Sequence, residues 1–137
     1  MGLFDRLTGT KYPESGVTPR ASTEVRAALL ALNGPDVPWV VRNATAKEGG
    51  DLVAVWEVPE LRLTLKTQMR LVSAKHELRT IDEQWRARPG RREYSRGQVT
   101  AVWHYGEREF RTADMKGPLR NVVLGAGWIW RGAMFKL

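Results

Sequence analysis

The chain has 137 residues, 42% apolar and 27% charged, with a formal net charge of +7, enough for one domain with its own core. It contains no cysteine, which excludes disulfides, thiolate metal sites and thiol nucleophiles and suits a cytoplasmic setting. No run of about 18 apolar residues is present, which excludes a transmembrane helix, and residues 1–9 lack the apolar centre of a signal peptide.

Residues 1–20 hold Gly2, Gly9, Gly16, Pro13 and Pro19 with little periodicity and read as a flexible lead-in to a single domain over 21–137. Within it Leu3, Phe4 and Leu7 can form one apolar turn. That turn is expected to dock on the domain, because one turn buries too little to hold a membrane alone. A helix follows over about 22–33. Ser22 or Thr23 can cap it, Glu24 suits its positive end, and Val25, Ala28, Leu29 and Leu32 form its stripe. Asn33-Gly34 supplies a left-handed stop and Pro35 prevents continuation.

Residues 38–46 and 51–58 read as a hairpin turned by Lys47-Glu-Gly-Gly50. Residues 61–71 then alternate. Leu61, Leu63, Leu65, Met69 and Leu71 share one face, and Arg62, Thr64, Lys66, Gln68 and Arg70 the other. Period two at this length predicts a half-buried antiparallel strand with a wet, basic face. After a turn at 73–75 a fourth strand runs to about residue 87. A bulge near Thr80-Ile81 would bring Leu78, Ile81 and Trp85 to one side.

Residues 86–92 read as a basic loop with a Pro-Gly turn. A fifth strand over 97–105 would bury Val99, Ala101, Trp103 and Tyr105, and Gly106 bends the chain into a short strand at 107–111. A second helix spans 112–126 with Met115, Leu119, Val122 and Ala126 as its stripe, its regular part starting at Pro118. Residues 128–137 form a closing strand. The succession predicts an α+β fold: a curved antiparallel sheet of about six to seven strands, partly barrel-like, with an N-terminal and a C-terminal helix packed on it.

Catalytic signals are missing. His76 and His104 have no ligand neighbours at helix or strand spacing, so neither a metal nor a cofactor is implied. Asp82 and Glu83 are adjacent on a strand, point to opposite faces, and are expected to pair with arginines across the sheet. No Gly-x-Ser-x-Gly and no phosphate-cradling glycine loop occur.

Binding signals are present. Residues 1–61 carry 6 Lys/Arg against 8 Asp/Glu, and residues 62–137 carry 16 against 7, which favours acidic partners, although a solvated Arg-rich surface accounts for the same numbers. The candidate contacts for an acidic partner are Arg62, Lys66 and Arg70 on the strand face and Arg86, Arg88, Arg91, Arg92 and Arg96 around the basic loop. Most of the six tryptophans fit a core. Trp128 and Trp130 share a face opposite Ile129, Ala133, Phe135 and Leu137, which makes them, with Tyr94, the candidate aromatic pocket or partner surface.

Six segments are familiar together: MGLFDRLTG at 1–9, RAALLALN at 26–33, DLVAVWEV at 51–58, MRL at 69–71, DEQW at 82–85 and AGWIWRG at 126–132. The chain resembles a family of small actinobacterial proteins with no established activity. The likeness covers most of the chain, which is shorter than the family pattern around 58–62 and 89–105. It implies a cytoplasmic bacterial setting and no catalytic residues. The expected function is a non-enzymatic binding or interaction module. The alternatives are a nucleic-acid-binding protein using the basic loop and Tyr94, and peripheral attachment to anionic membrane through residues 1–7 and the basic face.

Overall fold

The computed structural model describes residues 2–137; Met1, the first residue of the lead-in, lies outside the described residues. Alternating strands and short turns build the fold from local contacts outward. β1 (Trp39–Asn43), β2 (Leu52–Val58), β3 (Leu63–Val72), β4 (Glu77–Arg88) and β5 (Arg91–Gly97) lie side by side in chain order, each antiparallel to the next. The β2–β3 and β3–β4 connections share one design. Each is a 3₁₀ turn, Pro59–Leu61 or Ser73–Lys75, followed by a left-handed residue, Arg62 (φ 50°) or His76 (φ 47°).

The period-two pattern of β3 sets the two faces of the sheet. Leu63, Leu65 and Met69 stand opposite Val58, Trp56 and Leu52 of β2, all buried. Two helices close this side. α2 (Ser22–Leu30) contributes Val25 and Leu29, and α3 (Thr112–Gly125) contributes Met115, Leu119 and Val123. The last strand, β8 (Ile129–Gly132), runs parallel to the first half of β4 and sets Trp130 opposite Leu78. β5 takes the second half of the same edge. The fold is therefore α+β, with a six-stranded sheet that is antiparallel except at β8 and does not close into a barrel. A separate two-stranded ribbon, β6 (Val102–Tyr105) and β7 (Arg108–Arg111), stands before α3.

The second face of the sheet is partly covered as well. Val53 and Ile81 are fully buried there, between the 44–51 connection and the final residues. Ala133 N–H donates to Thr80 O at 2.7 Å, and Arg96 Nε to Phe135 O at 3.3 Å. This double cover explains the phase problem in β4. Leu78 and Ile81 are both buried on opposite faces, and the register Met69↔Thr80, Gln68↔Ile81 runs through without a bulge.

Other expectations are corrected in detail. The basic stretch at 86–92 is not a loop but the end of β4, a turn at 89–90 and the start of β5. The strand expected over 97–105 is reduced to β6, where Val102 and Tyr105 are half exposed. α2 stops at Leu30 without a left-handed residue. Asn33 ends it instead, its amide nitrogen donating to Leu30 O (3.0 Å) and Val41 O (2.7 Å) while its oxygen accepts Val41 N–H (2.8 Å). α3 begins at Thr112 and carries Pro118 inside it, its first turn held by Arg111 N–H to Asp114 Oδ2 (3.4 Å).

The lead-in contains a short helix, α1 (Leu3–Thr8), and is tied to the sheet along β8. Lys11 pairs with Trp130 through both backbone hydrogen bonds, 2.8 and 2.9 Å. The docking expected of its apolar turn is reversed. Polar Thr8 and Thr10 are buried, while Leu3, Phe4 and Leu7 face outward.

Candidate functional site

Charge on the second sheet face is organised around two carboxylates. Glu48, carried over β3 by the 44–51 connection, accepts both Arg42 Nη groups (2.7 and 2.9 Å), Lys66 Nζ (2.6 Å) and Thr45 N–H (2.8 Å). The Arg42 guanidinium holds the Glu48 carboxyl well below the usual carboxylate range, against the opposing effect of burial and with help from Lys66 and Thr45. Glu83 accepts Gln68 Nε2 and Tyr94 Oη, each at 2.5 Å, with Arg96 Nη1 at 3.6 Å. Donation to Glu83, reinforced by burial, raises the Tyr94 hydroxyl pKa.

On the other face Asp82 lies under α3. Its Oδ1 accepts Thr67 Oγ1 (2.8 Å), and its Oδ2 accepts Val99 N–H (2.9 Å) and Lys116 Nζ (2.6 Å). Both oxygens are occupied by fixed donors, so this carboxylate locks α3 and residue 99 to the sheet. Glu83 finds the cross-strand arginine expected of it, whereas Asp82 pairs with a helix lysine instead.

Two depressions open on the second face. One, of about 460 Å³, lies at the far end of β4 and is lined by Arg62, Thr64, Trp85, Arg86, Arg92, Glu93 and Tyr94. The cross-strand pair Trp85↔Tyr94 forms its floor, ring centroids 5.4 Å apart, and Lys66 Nζ stands 5.6 Å from the Trp85 ring. Trp85 is 38% and Tyr94 52% exposed. The other, of about 450 Å³, lies between the 44–51 connection and the final residues and is lined by Glu48, Gln68, Arg70, Arg96 and Lys136.

The candidate cations are thus divided. Arg62 and Arg92 gather around the aromatic floor with Tyr94, whereas Arg86 alternates with Trp85 and shares the opposite face with Leu63, its Nε buried without a partner. Arg62 reaches the floor from the left-handed turn position, not from the strand face on which alternation placed it. Arg70 and Arg96 belong to the second depression. Lys66 is consumed by Glu48, and Arg88 and Arg91 both pair with Glu93 at 3.0 Å. Trp128 and Trp130 offer no surface. They are 0% and 2% exposed, because the parity of β8 and the cover of Lys11 turn them into the core, and Trp128 Nε1 donates to Arg20 O at 2.8 Å.

The residue missed by sequence reasoning is Trp85. An assumed bulge turned it inward, although plain alternation from Ile81 and Glu83 puts it on the second face opposite Tyr94. His76 sits in a turn with its ring against Trp128 (5.8 Å), and His104 is exposed on β6. Among the described residues no three His, Asp or Glu side chains are placed to hold a metal ion, and no helix is long and apolar enough to cross a membrane. Comparison with protein-family models, curated proteins and solved structures finds no match.

Proposed function

We propose that the chain is a non-catalytic bacterial binding module of the cytoplasm, which takes an acidic protein segment in the depression floored by Trp85 and Tyr94. The observation that carries this reading is an exposed aromatic pair with two arginines beside it, Arg62 and Arg92. Neither forms an ion pair within 4.0 Å among the described residues. Exposed Trp and Tyr supply contact area at low conformational cost, and unpaired arginines select carboxylates over neutral groups.

The same floor favours one second reading. Aromatic rings flanked by arginines also stack the bases of a single strand. Titration of the intact protein with poly-glutamate and with a single-stranded oligonucleotide at low salt, followed by tryptophan fluorescence, separates the two. Saturable binding of the acidic peptide, weakened at least about tenfold in Trp85→Ala, supports the acidic-segment reading. Tighter, steeply salt-dependent binding of the oligonucleotide transfers the site to nucleic acid. Failure of both probes at low salt removes the site.

A further inference from the structure

α1 is fastened on one side and open on the other. Thr8 Oγ1 donates to Phe4 O (3.0 Å) and lies 2.8 Å from Thr10 Oγ1, which accepts Gly132 N–H at 3.1 Å. Tyr12 Oη donates to Asp5 Oδ2 at 3.0 Å. The opposite side carries Leu3, Phe4 and Leu7, at 74%, 68% and 69% exposure. Their spacing puts them together on one turn. A helix serving only to cover the sheet edge would turn that stripe inward.

The cations beside this turn are arranged too. Arg70, Arg79 and Arg131 are successive cross-strand neighbours on β3, β4 and β8. The row ends at α1, where Arg131 Nη1 lies 3.9 Å from Asp5 Oδ1. Glu77 takes Arg79 (3.7 Å) and Arg131, which leaves Arg70 exposed without an ion pair among the described residues. Arg6 and Lys11 are exposed on the lead-in itself.

We propose that this corner of the molecule docks reversibly on an anionic lipid bilayer. Leu3, Phe4 and Leu7 enter the boundary between headgroups and acyl chains, and Arg6, Lys11 and Arg70 meet the anionic headgroups. Three apolar side chains are far fewer than the roughly 20–30 residues a side of a stable protein interface, and a second copy would bring an equal net charge of +7 against it. A bilayer needs no complementary shape. One apolar turn is comparable to a single acyl chain, which binds membranes only marginally, at about 10⁴ M⁻¹, so the cations act as the required second signal. The surface is separate from the Trp85 depression and does not rest on its function.

Sedimentation of the full chain with phosphatidylcholine vesicles, with and without phosphatidylglycerol, at low and high salt tests the proposal. Binding is expected only with phosphatidylglycerol, weakening at high salt. Phe4→Ser with Leu7→Ser is expected to weaken it at least about tenfold, Arg70→Gln about fivefold, and Trp85→Ala not at all. The replaced apolar side chains are exposed, so circular dichroism and melting should match the wild type; Leu3→Ser is an independent second variant. The proposal is overturned by absence of binding to phosphatidylglycerol vesicles at low salt. Full-strength binding of the Phe4/Leu7 variant also overturns it, since charge alone would then act. So does a wild-type dimer that the same variant dissolves, since the occupant would be a second copy.

Discussion

β4 passes through two different environments, and the contrast between its halves accounts for most of what the molecule presents to solvent. Over Glu77–Thr80 it lies between β3 and β8, and Leu78 meets Trp130 beneath the helices. Over Asp82–Arg88 it lies between β3 and β5, and Trp85 meets Tyr94 on the face that no helix covers. Both halves pair an aromatic side chain across strands. Only the cover differs, and it makes one tryptophan part of the core and the other the floor of a depression. A residue's role here follows from register and from what crosses above it, not from its type.

The sharpest way to break this contrast is to truncate both tryptophans. Trp130→Ala empties a fully enclosed site and should cost about 3–5 kcal/mol of stability. Trp85→Ala should cost less, about 2 kcal/mol, because more than a third of that residue is already in water. Urea denaturation of the two variants checks the difference; equal losses would make the exposed end a structural element. Next comes the joint between the halves. Asp82→Ala leaves the Lys116 ammonium without its carboxylate, with only Gln98 Oε1 at 3.3 Å to accept from it, and should cost about 3 kcal/mol, while Asp82→Leu combined with Lys116→Met should restore most of it. If the double variant is no more stable than Asp82→Ala, the pair is not what couples α3 to β4.

The legible part of this fold was the part governed by a single period. Alternation in β3 identified its buried Leu/Met face and, with the turns around it, the antiparallel hairpins. Long-range cover left no such mark. Nothing local says that the final residues run along the second face, on which Ile81 is fully buried, so alternation alone points to a bulge where both faces are enclosed. Nothing local says that β8 pairs with β4 in parallel, which is why the sequence alone offers Trp128 and Trp130 as a surface. The candidate site was half legible for the same reason. Arg62, Arg92 and Tyr94 stand out by charge and composition, but placing Trp85 in the site, and Arg86 outside it, needs the true register of β4.

A smaller effect separates the polar network beside β3 from the depression it borders. Glu48→Gln keeps the size of the side chain but removes the charge that Arg42 and Lys66 hold. At pH 7 it should cost about 1–2 kcal/mol, the lower part of the range for charged hydrogen bonds because Arg42 is partly solvated. A carboxyl whose pKa is lower in the folded than in the unfolded chain adds stability above its unfolded value, about 4.3, and loses it as pH falls toward the folded value. The Glu48 pKa lies well below the usual range. The gap between wild type and Glu48→Gln should therefore be full at neutral pH, begin to close only near the ordinary carboxylate range, and keep shrinking below it. Denaturation at neutral pH and at successively lower pH reads this directly, and a gap that widens on acidification would reverse the assignment.

The smallest stability change is also the most discriminating for the exposed end. Tyr94→Phe removes the hydroxyl that donates to Glu83 but keeps the ring against Trp85. Glu83 retains Gln68 and the nearby Arg96, so the loss should be about 1 kcal/mol. If the depression binds through its aromatic floor and its arginines, Tyr94→Phe should titrate with an acidic peptide nearly as the wild type does, while Trp85→Ala should not. If both variants lose binding equally, the hydroxyl–carboxylate contact, rather than the aromatic area, defines the site. The recognition surface would then shift from the outer half of β4 toward the Glu83 network in its middle.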